Sequence, residues 1–379
     1  MTLGILALAL TACGDDTSSN DSSSATDSGT TIPDATSLAD PTQGDPGLTS
    51  LQNLAFAPDG TLAIGDGSGE QIVALELPPG QTTDYRPAID DIYQLVAEAF
   101  GDAQGTEANI WDIDADPRTG RIYLAAERLS TGEAALFRVM DDDTVEVVDL
   151  SDVAYSAVAY PSTGGAGSLI MALEWGSEQL TAAVTESNWS TNQVVSVAVP
   201  VSHEDTSTVT STYTYHRTHN AWETRAPVVS LAAYTSEDVD YVAATYTCTP
   251  AVRFTQAALA AGESETVGET PFDYGGGKQV MDMVINSEGV YATIDGMLGN
   301  NTNPWDNFGV VRVNLDRMTQ STELDESAMQ IVGVGDKINH PDASRFEALD
   351  GAYRLALVDD THIVALQQAG LHVVDLTEE

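Results

Sequence analysis

The segment "YTYHRTHNAWETR" brings two histidines and a glutamate together in a chain that contains six histidines. Its spacing is His216-x-x-His219-x-x-x-Glu223. Two imidazoles and a carboxylate suit Zn²⁺ or another divalent metal ion, and the same groups suit acid–base chemistry. The spacing is not that of a helical metal-binding motif, so a structural interpretation also stands. In that interpretation the histidines hydrogen-bond to backbone carbonyls, and Glu223 pairs with Arg225 or Arg217.

Two further residues belong to types that are rare in this chain. Cys248, in "TCTP", is one of two cysteines, and it is either a reactive thiol that adds a fourth ligand to the predicted metal site or a small buried apolar residue. Lys278, one of two lysines, follows three glycines, which allow a ligand to approach the backbone closely. Lys278 can therefore hold an anionic group, or it can pair with Asp273 or Asp282.

The charge balance restricts the partners of the protein. Lysine and arginine total 14 against 58 aspartates and glutamates, a formal net charge of -44. Because phosphates would be repelled, we exclude nucleic acid as a partner. An acidic, lysine-poor surface stays soluble in concentrated salt, so we interpret the chain as halophilic or marine; an acidic secreted protein is the alternative. We expect molar KCl to raise the melting temperature, because salt screens repulsion between like charges.

The N-terminus has the features of a secretion signal. "MTLGILALALTAC" is an apolar run with small residues before a cysteine, typical of a bacterial lipoprotein signal, although no Lys or Arg precedes it. We predict a signal peptide over residues 1–12, lipidation of Cys13, and a disordered acidic tether rich in Ser, Thr and Asp over residues 13–47. The protein would then be anchored to a membrane on the extracytoplasmic side of the cell envelope, at the outer membrane or cell surface.

From residue 48 onward, short apolar strands alternate with clusters of Gly, Asp, Asn and Pro. The first unit, "LQNLAFAPDGTLAIGDGSGEQIVALEL", contains three strands and two turns, and five similar units follow, each with a weaker fourth strand. Groups of four short strands at a loose period predict an all-β fold: a single β-propeller of six blades over residues 48–379. Seven blades and a two-sheet sandwich are the alternatives. One helix is predicted, in "DDIYQLVAEAF".

Two segments resemble known propellers. "FAPDGTLAIGDGSGEQIVALEL" is similar to blades of the NHL and regucalcin-like propellers, and residues 179–315 resemble bacterial envelope propeller proteins of unassigned function through "TESNWSTNQVVSVAVPV", "YHRTHNAWETRAPV" and "TYTCTPAVRF". The resemblance implies a propeller but supplies no reaction. Regucalcin-like hydrolases hold a divalent ion with carboxylates and an asparagine on channel strands. Asp112, Glu174 and Asp282 lie on or near predicted innermost strands, but they do not match that pattern residue by residue.

Five polar segments of the third, fourth and fifth units are predicted to lie on one face. Loops joining the second and third strands of a blade open on the same face as the connections to the next blade, here called the loop face. The plain turns "PDG", "DPRTG" and "NSEG" open on the opposite face, here called the turn face. The candidate ligand-binding residues of the loop face are His216, His219, Glu223, Cys248, Tyr274, Lys278, Asp282 and Trp305.

Two functions are compatible with this face. The first is a lipid-anchored propeller that binds a small molecule, a glycan or a protein partner. The second is an enzyme with a bound metal or quinone, either a lactonase-like hydrolase or an oxidoreductase. The sequence identifies no cofactor beyond a candidate divalent metal at His216, His219, Glu223 and Cys248. We favour the binding function, because no catalytic motif is complete.

Overall fold

The computed structural model describes most of the chain from residue 37 onward. The described ranges are 37–78, 80–161, 167–186, 191–212, 214–216, 221–223, 227–246, 249–263, 268–269, 280–295, 308–313, 343–368 and 370–377. Within them, no helix has the length and apolar character needed to cross a membrane. The described strands form six antiparallel sheets of four or five strands around a common centre, and one separate hairpin. The predicted six-bladed propeller is confirmed.

We number the blades by their order around the ring and give the strands of each from the inside outward. Blade 1 consists of β2 (Asn53–Phe56), β3 (Thr61–Asp66), β4 (Gln71–Glu76), β10 (Val153–Ala159) and β1 (Thr42–Gly44). Blade 2 consists of β11 (Ser168–Trp175), β12 (Gln179–Glu186), β13 (Gln193–Ala198) and β14 (Thr208–Ser211). Blade 3 consists of β17 (Val228–Ser236), β18 (Val239–Tyr246), β19 (Thr249–Thr255) and β20 (Gly268–Glu269).

The remaining three blades complete the ring. Blade 4 consists of β21 (Val280–Asn286), β22 (Gly289–Ile294), β23 (Gly309–Val313) and β24 (Ala343–Arg345). Blade 5 consists of β25 (Ala352–Asp359), β26 (His362–Gln367), β27 (Leu371–Asp375) and β5 (Ala88–Ile89). Blade 6 consists of β6 (Ala108–Asp116), β7 (Arg121–Arg128), β8 (Glu133–Val139) and β9 (Val145–Val147).

The hydrophobic core is divided among the six interfaces between blades. Each pair of adjacent blades encloses its own cluster of buried apolar side chains, and the six clusters together close the circle. The innermost strands contact one another in the same order: β2, β11, β17, β21, β25, β6 and again β2. Apolar residues at alternate positions of each strand supply these interfaces, because successive side chains of a strand point to opposite faces.

The chain does not visit the blades in ring order. Blade 6 comes second in the sequence, but it lies between blade 5, the last, and blade 1, the first. Blade 1 receives β10 only after blade 6 is complete, and blade 5 receives its outermost strand, β5, from an early part of the chain. These two composite blades hold the ring closed, because each joins segments that are distant in the sequence.

The predicted helix is present as α1 (Ile92–Phe100). The Asp91 side chain accepts a hydrogen bond from the backbone N–H of Gln94 at 3.0 Å, which caps the N-terminus, and Gly101 ends the helix with φ +88°. The helix buries Ile92, Val96 and Ala97 against blade 6. A second, short helix, α2 (Gln256–Ala260), follows β19.

Two boundaries differ from the sequence prediction. The folded part begins before residue 48: β1 pairs with β10, and Leu38 bridges to Val201, so residues 37–47 are not tether. A strand at a sheet edge is held by backbone hydrogen bonds and needs few apolar side chains, which is why its composition resembled a tether. The polar segment that carries His216 contains a hairpin, β15 (Thr214–His216) and β16 (Ala221–Glu223), which lies between blades 2 and 3 in the sequence.

Candidate functional site

Successive residues of an innermost strand point to opposite faces of its blade: Leu54 packs between blades 1 and 6, and Ala55 packs between blades 1 and 2. Leu54, Ile113 and Leu173 are buried in apolar clusters between blades. These residues and their neighbours Asn53 and Asp112 also line a cavity between the six innermost strands. Polar residues of all six strands can therefore meet at this cavity.

A β-bulge near the start of the innermost strand in blades 2 to 6 determines which residues face the channel. In blade 2 the pairing register shifts between Ile170 and Ala172, and equivalent shifts occur in the other four strands. A bulge bends the strand and re-aims the side chain that follows it. The residues directly after the bulges, with the equivalent residue of β2, form one layer that we call the belt: Asn53, Asp112, Ala172, Ser230, Asp282 and Arg354.

Arg354 joins three blades within the belt. From blade 5, its Nε donates to the carbonyl of Trp111 in blade 6 at 3.1 Å, and its Nη1 donates to the carbonyl of Met281 in blade 4 at 3.3 Å. Its Nε also lies 3.7 Å from Oδ1 of Asp112. The guanidinium therefore supplies the positive charge of the belt and fixes the relative positions of three innermost strands.

The belt aspartates bind the backbone of neighbouring blades. Oδ2 of Asp112 accepts from the backbone N–H of Leu54 at 2.9 Å and from Nδ2 of Asn53 at 3.2 Å. Oδ2 of Asp282 accepts from the N–H of Leu355 at 2.7 Å, while its Oδ1 accepts from the hydroxyl of Ser230 at 3.0 Å. These contacts hold blades together whether or not a ligand is present.

A second layer lies two residues further along each innermost strand, toward the turn face. Its members all line the cavity: Ala55, Asp114, Glu174, Ala232, Val284 and Ala356. Oδ2 of Asp114 accepts from the N–H of Phe56 at 2.6 Å, and Oε1 of Glu174 accepts from the N–H of Ala233 at 3.0 Å. The carboxyl group of Asp114 therefore lies against the backbone of blade 1, and that of Glu174 lies against the backbone of blade 3.

Burial shifts the charge states of all four channel carboxyls. It raises the pKa of Asp112 to about 6, with Arg354 opposing the rise, and it raises the pKa of Glu174 to about 8. Burial likewise raises the pKa of Asp114 well above its usual value and the pKa of Asp282, again against Arg354. At pH 7, Asp112 is therefore largely ionised, and Glu174 is largely protonated.

These layers enclose a cavity of about 320 Å³. The belt bounds one end, and Pro58 and Pro117, from the first turns of blades 1 and 6, bound the other. The cavity thus lies on the turn-face side of the belt. This position differs from the loop face on which the sequence placed the candidate site, because the bulges direct the polar residues of the innermost strands inward.

The structure describes only part of the site predicted from the sequence. Asp282 lies in the belt, on the innermost strand of blade 4. The backbones of His216 and Glu223 belong to the hairpin of β15 and β16, in which His216 pairs with Ala221 and Thr214 with Glu223. Five predicted loop-face residues and the lipidation site lie outside the described residues: His219, Cys248, Tyr274, Lys278, Trp305 and Cys13. The shared ligand of that face stays a prediction.

The predicted metal site also stays untested at its histidines and cysteine. Among the described residues, no group of three or more His, Cys, Asp or Glu side chains is arranged to hold a metal ion. That statement includes the channel carboxyls Asp112, Asp114, Glu174 and Asp282, which bind backbone N–H groups instead.

Sequence reasoning gave no role to two channel residues, Asp114 and Arg354. Arg354 is the one charged residue of "AYRLALV", and Asp114 shares "NIWDIDA" with Asp112. Charged residues are almost never buried without a partner, so a charge inside an innermost strand was the available signal. Asp112 and Glu174 carry the same signal, and the structure places both on innermost strands, as expected.

Comparisons with known proteins leave the family open. No family model and no curated protein matches the chain. Solved structures similar to it include hydrazine synthase from Kuenenia stuttgartiensis, with 12% identity over 90% of this chain and 100% of that chain and a TM-score of 0.41. A proposed oxidoreductase (glucose dehydrogenase) from Thermus thermophilus matches with 10% identity over 88% and 100%, TM-score 0.30. A proposed glycoside hydrolase from Bacteroides ovatus matches with 11% identity over 79% and 96%, TM-score 0.36. No functional argument rests on likeness at this level.

Proposed function

We propose that the protein is a lipid-anchored, extracytoplasmic β-propeller that binds a small polar molecule inside its central channel. The observation that supports this is the cavity of about 320 Å³ in which Asp112, Asp114, Glu174, Asp282 and Arg354 converge. Ligand pockets are typically concave, largely apolar and furnished with a few polar groups, and this cavity combines those features. Groups that only joined blades would not need an open volume between them.

The volume and wall of the cavity restrict the size of the ligand. About 30 Å³ corresponds to one water molecule in the liquid, so the cavity holds roughly ten waters or a ligand of comparable size. Ala55, Ala232 and Ala356 each present only a methyl group at the second layer, and each also packs in the apolar cluster between two blades. A larger side chain at one of these positions would occupy the space that we assign to the ligand.

A cavity-filling variant tests this proposal. A fragment panel of amines, polyols and carboxylic acids is screened by thermal shift against the wild type and Ala356→Phe, with hits measured by calorimetry. We expect at least one fragment class to bind the wild type and to lose at least tenfold in affinity in Ala356→Phe. Ala348→Phe, at an exposed position, is the control and should bind normally. Equal binding by both variants, or no fragment binding at all, would refute a channel ligand site.

An enzyme acting in the same cavity is the second candidate. The observation that favours it is the separation of the pKa values, about 6 for Asp112 and about 8 for Glu174, which provides one ionised and one protonated carboxyl at pH 7. Two carboxyls in one cavity with separated pKa values can serve as general base and general acid. Turnover of a lactone or glycoside panel that is lost in Glu174→Gln, with retained folding, would favour catalysis over binding.

The anchoring part of the proposal is supported by the sequence of residues 1–13. Incorporation of labelled palmitate in a bacterial host should be abolished by Cys13→Ser, because the cysteine is the acceptor of the lipid. Cys248→Ser serves as the matched control and should be labelled like the wild type. Equal labelling of the Cys13→Ser variant would show that the protein is not a lipoprotein, and it would leave the channel proposal unaffected.

A further inference from the structure

We propose that a monovalent cation, Na⁺ or K⁺, binds in a polar layer between blades 2 and 3. Its ligands would be four oxygen atoms that we call the interface oxygens: Oε1 of Gln179, Oγ1 of Thr181, Oγ of Ser196 and Oε1 of Gln256. These residues lie apart from those that line the central cavity, so the proposal does not depend on the function proposed for that cavity.

The interface oxygens are enclosed by protein and lack hydrogen-bond partners among the described residues. The residues that carry them are between 1% and 6% exposed, and none of the four atoms makes a hydrogen bond within the described part of the chain. A buried polar atom without a partner destabilises a fold. Four such atoms in one native interface therefore indicate a bound ion or bound water that satisfies them.

Strand pairing places three of the interface oxygens on the same side of blade 2. Thr181 of β12 and Ser196 of β13 are direct cross-strand partners, and Gln179 lies two residues before Thr181. Ala183 and Val194 continue the same alternation along β12 and β13, and both belong to the apolar cluster between blades 2 and 3. The three polar side chains therefore point toward blade 3, as neighbours on one face of the sheet.

Blade 3 supplies the fourth oxygen from Gln256, the first residue of α2. Nε2 of Gln179 donates to the backbone carbonyl of Gln256 at 2.8 Å, which leaves Oε1 of Gln179 as the open atom of that amide. Gly176 begins the tight turn that leads to Gln179, and a β-carbon at Gly176 would lie 2.3 Å from both Nε2 and Oε1 of Gln256. The side-chain amide of Gln256 therefore packs against the turn of blade 2, beside Gln179.

Contacts between the two blades bound the polar layer on three sides. At the turn face, the hydroxyl of Ser177 in blade 2 donates to the carboxylate of Asp240 in blade 3. Toward the channel, Glu174 is the cross-strand partner of Thr181, and its Oε1 accepts from the N–H of Ala233 in blade 3. On the outside, α2 packs on β13 and β14. A ligand of this layer is therefore small, and it enters during folding or by local opening of the interface.

The chemistry of the interface oxygens suits a monovalent cation. Amide carbonyls and hydroxyls are neutral oxygen ligands, and carbonyl oxygens replace the hydration shell of K⁺ in channel filters. Ca²⁺ sites instead use several carboxylates, whereas the four open atoms here are neutral. The amide oxygens of Gln179 and Gln256 only accept, so they cannot satisfy each other, and a cation satisfies several acceptors at once. Water, which can donate to both amides, is the alternative that the experiment must separate from an ion.

Thermal denaturation in NaCl, KCl and choline chloride at equal ionic strength tests the proposal. All three salts screen the net charge equally, but oxygen atoms cannot coordinate the quaternary ammonium of choline as closely as they coordinate Na⁺ or K⁺. An ion present at about 100 times its dissociation constant should raise the melting temperature by about 3 °C above the value in choline chloride. The salt that gives the larger shift identifies the preferred ion.

Variants with unchanged net charge assign this shift to the interface oxygens. Thr181→Val and Ser196→Ala each remove one ligand, and each should abolish the difference between the salts. Thr61→Val is the matched control, because the hydroxyl of Thr61 in blade 1 is equally buried and also lacks a partner among the described residues. Thr61 lies two residues before Ala63, which packs between blades 1 and 2, so this variant should keep the full shift.

Equilibrium dialysis measures the ion directly. ²²Na⁺, or ⁸⁶Rb⁺ in place of K⁺, is dialysed against the wild type and Thr181→Val in a background of choline chloride. Counterions held by the net charge are the same for both proteins, so the difference between them reports the site alone. We expect the wild type to retain about one ion more per chain than Thr181→Val.

Each alternative gives a different result. A wild type that melts at the same temperature in all three salts, with no retained ion, would overturn the proposal. A loss of stability in Thr181→Val that is equal in all salts would indicate bound water instead of a cation. A gain that is equal in all salts would show that the hydroxyl has no ligand. If Thr181→Val does not fold, the same comparisons with Ser196→Ala decide between these outcomes.

Discussion

Asp66 and Glu174 are both surrounded by protein, yet they are in opposite electrostatic situations. Asp66, at the end of β3 in blade 1, is 0% exposed and accepts six hydrogen bonds, from Thr49, Ser50, Gly69 and Gln71, at 2.8–3.0 Å. Burial raises the pKa of Asp66, but the hydrogen bonds from Thr49, Gln71 and Gly69 outweigh it and hold the pKa below the usual value.

Glu174 has one such bond, from Ala233, and burial raises its pKa to about 8. The difference in pKa follows because Asp66 has several hydrogen-bond donors that oppose the effect of burial, whereas Glu174 has one. A carboxylate saturated by the protein, such as Asp66, has no capacity left for a ligand and serves the fold. A carboxyl with an open oxygen beside a cavity is suited to a function that a ligand completes.

The largest expected effect on stability comes from replacing Asp66, the carboxylate whose oxygens are saturated with hydrogen bonds. Asp66→Ala should lower the free energy of unfolding by about 3–5 kcal/mol, because it leaves the backbone N–H groups of Thr49, Ser50 and Gly69 without their acceptor. Urea denaturation at pH 7 measures the change. Asp142→Ala, in an exposed turn, should cost less than about 1 kcal/mol. A cost for Asp66→Ala within that range would show that the six hydrogen bonds do not stabilise the fold.

Arg354 carries a positive charge that partly offsets the negative charge of the belt carboxyls, Asp112 and Asp282. Arg354→Met should cost about 2–3 kcal/mol at pH 8, where Asp112, whose pKa is about 6, is ionised and loses its cation. Without Arg354 the pKa values of both aspartates rise further, so the folded state takes up protons and stability recovers as the pH falls to 5. The surface variant Arg312→Met should show a smaller loss. An equal loss at pH 5 and pH 8 for Arg354→Met would mean that packing, not charge, is the cause.

Much of the fold was predictable from local patterns. The turn "PDG" after "NLAF" and the alternation in "TLAIGD" follow rules that act within a few residues, and β2, β3 and β4 lie where those rules place them. The position of blade 6 between blades 5 and 1 was not predictable in the same way. It depends on which apolar surfaces pack together over long sequence distances, and the repeated units are too similar to encode an order.

The site was less accessible from the sequence than the fold. Whether Asp112 or its neighbour Trp111 faces the channel depends on a bulge, which shifts the register by one residue without a distinctive residue type. The conspicuous residues, such as His216 and Cys248, drew attention because they are rare in the chain. The channel residues Asp114 and Glu174 belong to the commonest charged types, so only their position in the ring distinguishes them.

The last prediction concerns Glu174, the carboxyl that accepts only one hydrogen bond. Burial raises the pKa of Glu174 from 4.5 to about 8, so between these values the folded protein binds a proton that the unfolded chain has released. The stability due to this proton is present at pH 5 and is lost as the pH rises through 8. Asp66 behaves oppositely: its lowered pKa means that its contribution is lost only in acid.

Glu174→Gln removes the titrating group while keeping the shape of the side chain. Each pKa unit corresponds to about 1.4 kcal/mol, so we expect Glu174→Gln to match the wild type at pH 5 and to exceed its free energy of unfolding by about 2 kcal/mol or more at pH 9. Urea denaturation across this range at constant ionic strength measures the difference, with the exposed Glu178→Gln as the control that should follow the wild-type curve. Parallel curves for Glu174→Gln and the wild type would show that Glu174 is already ionised at neutral pH, and the contrast with Asp66 would then be lost.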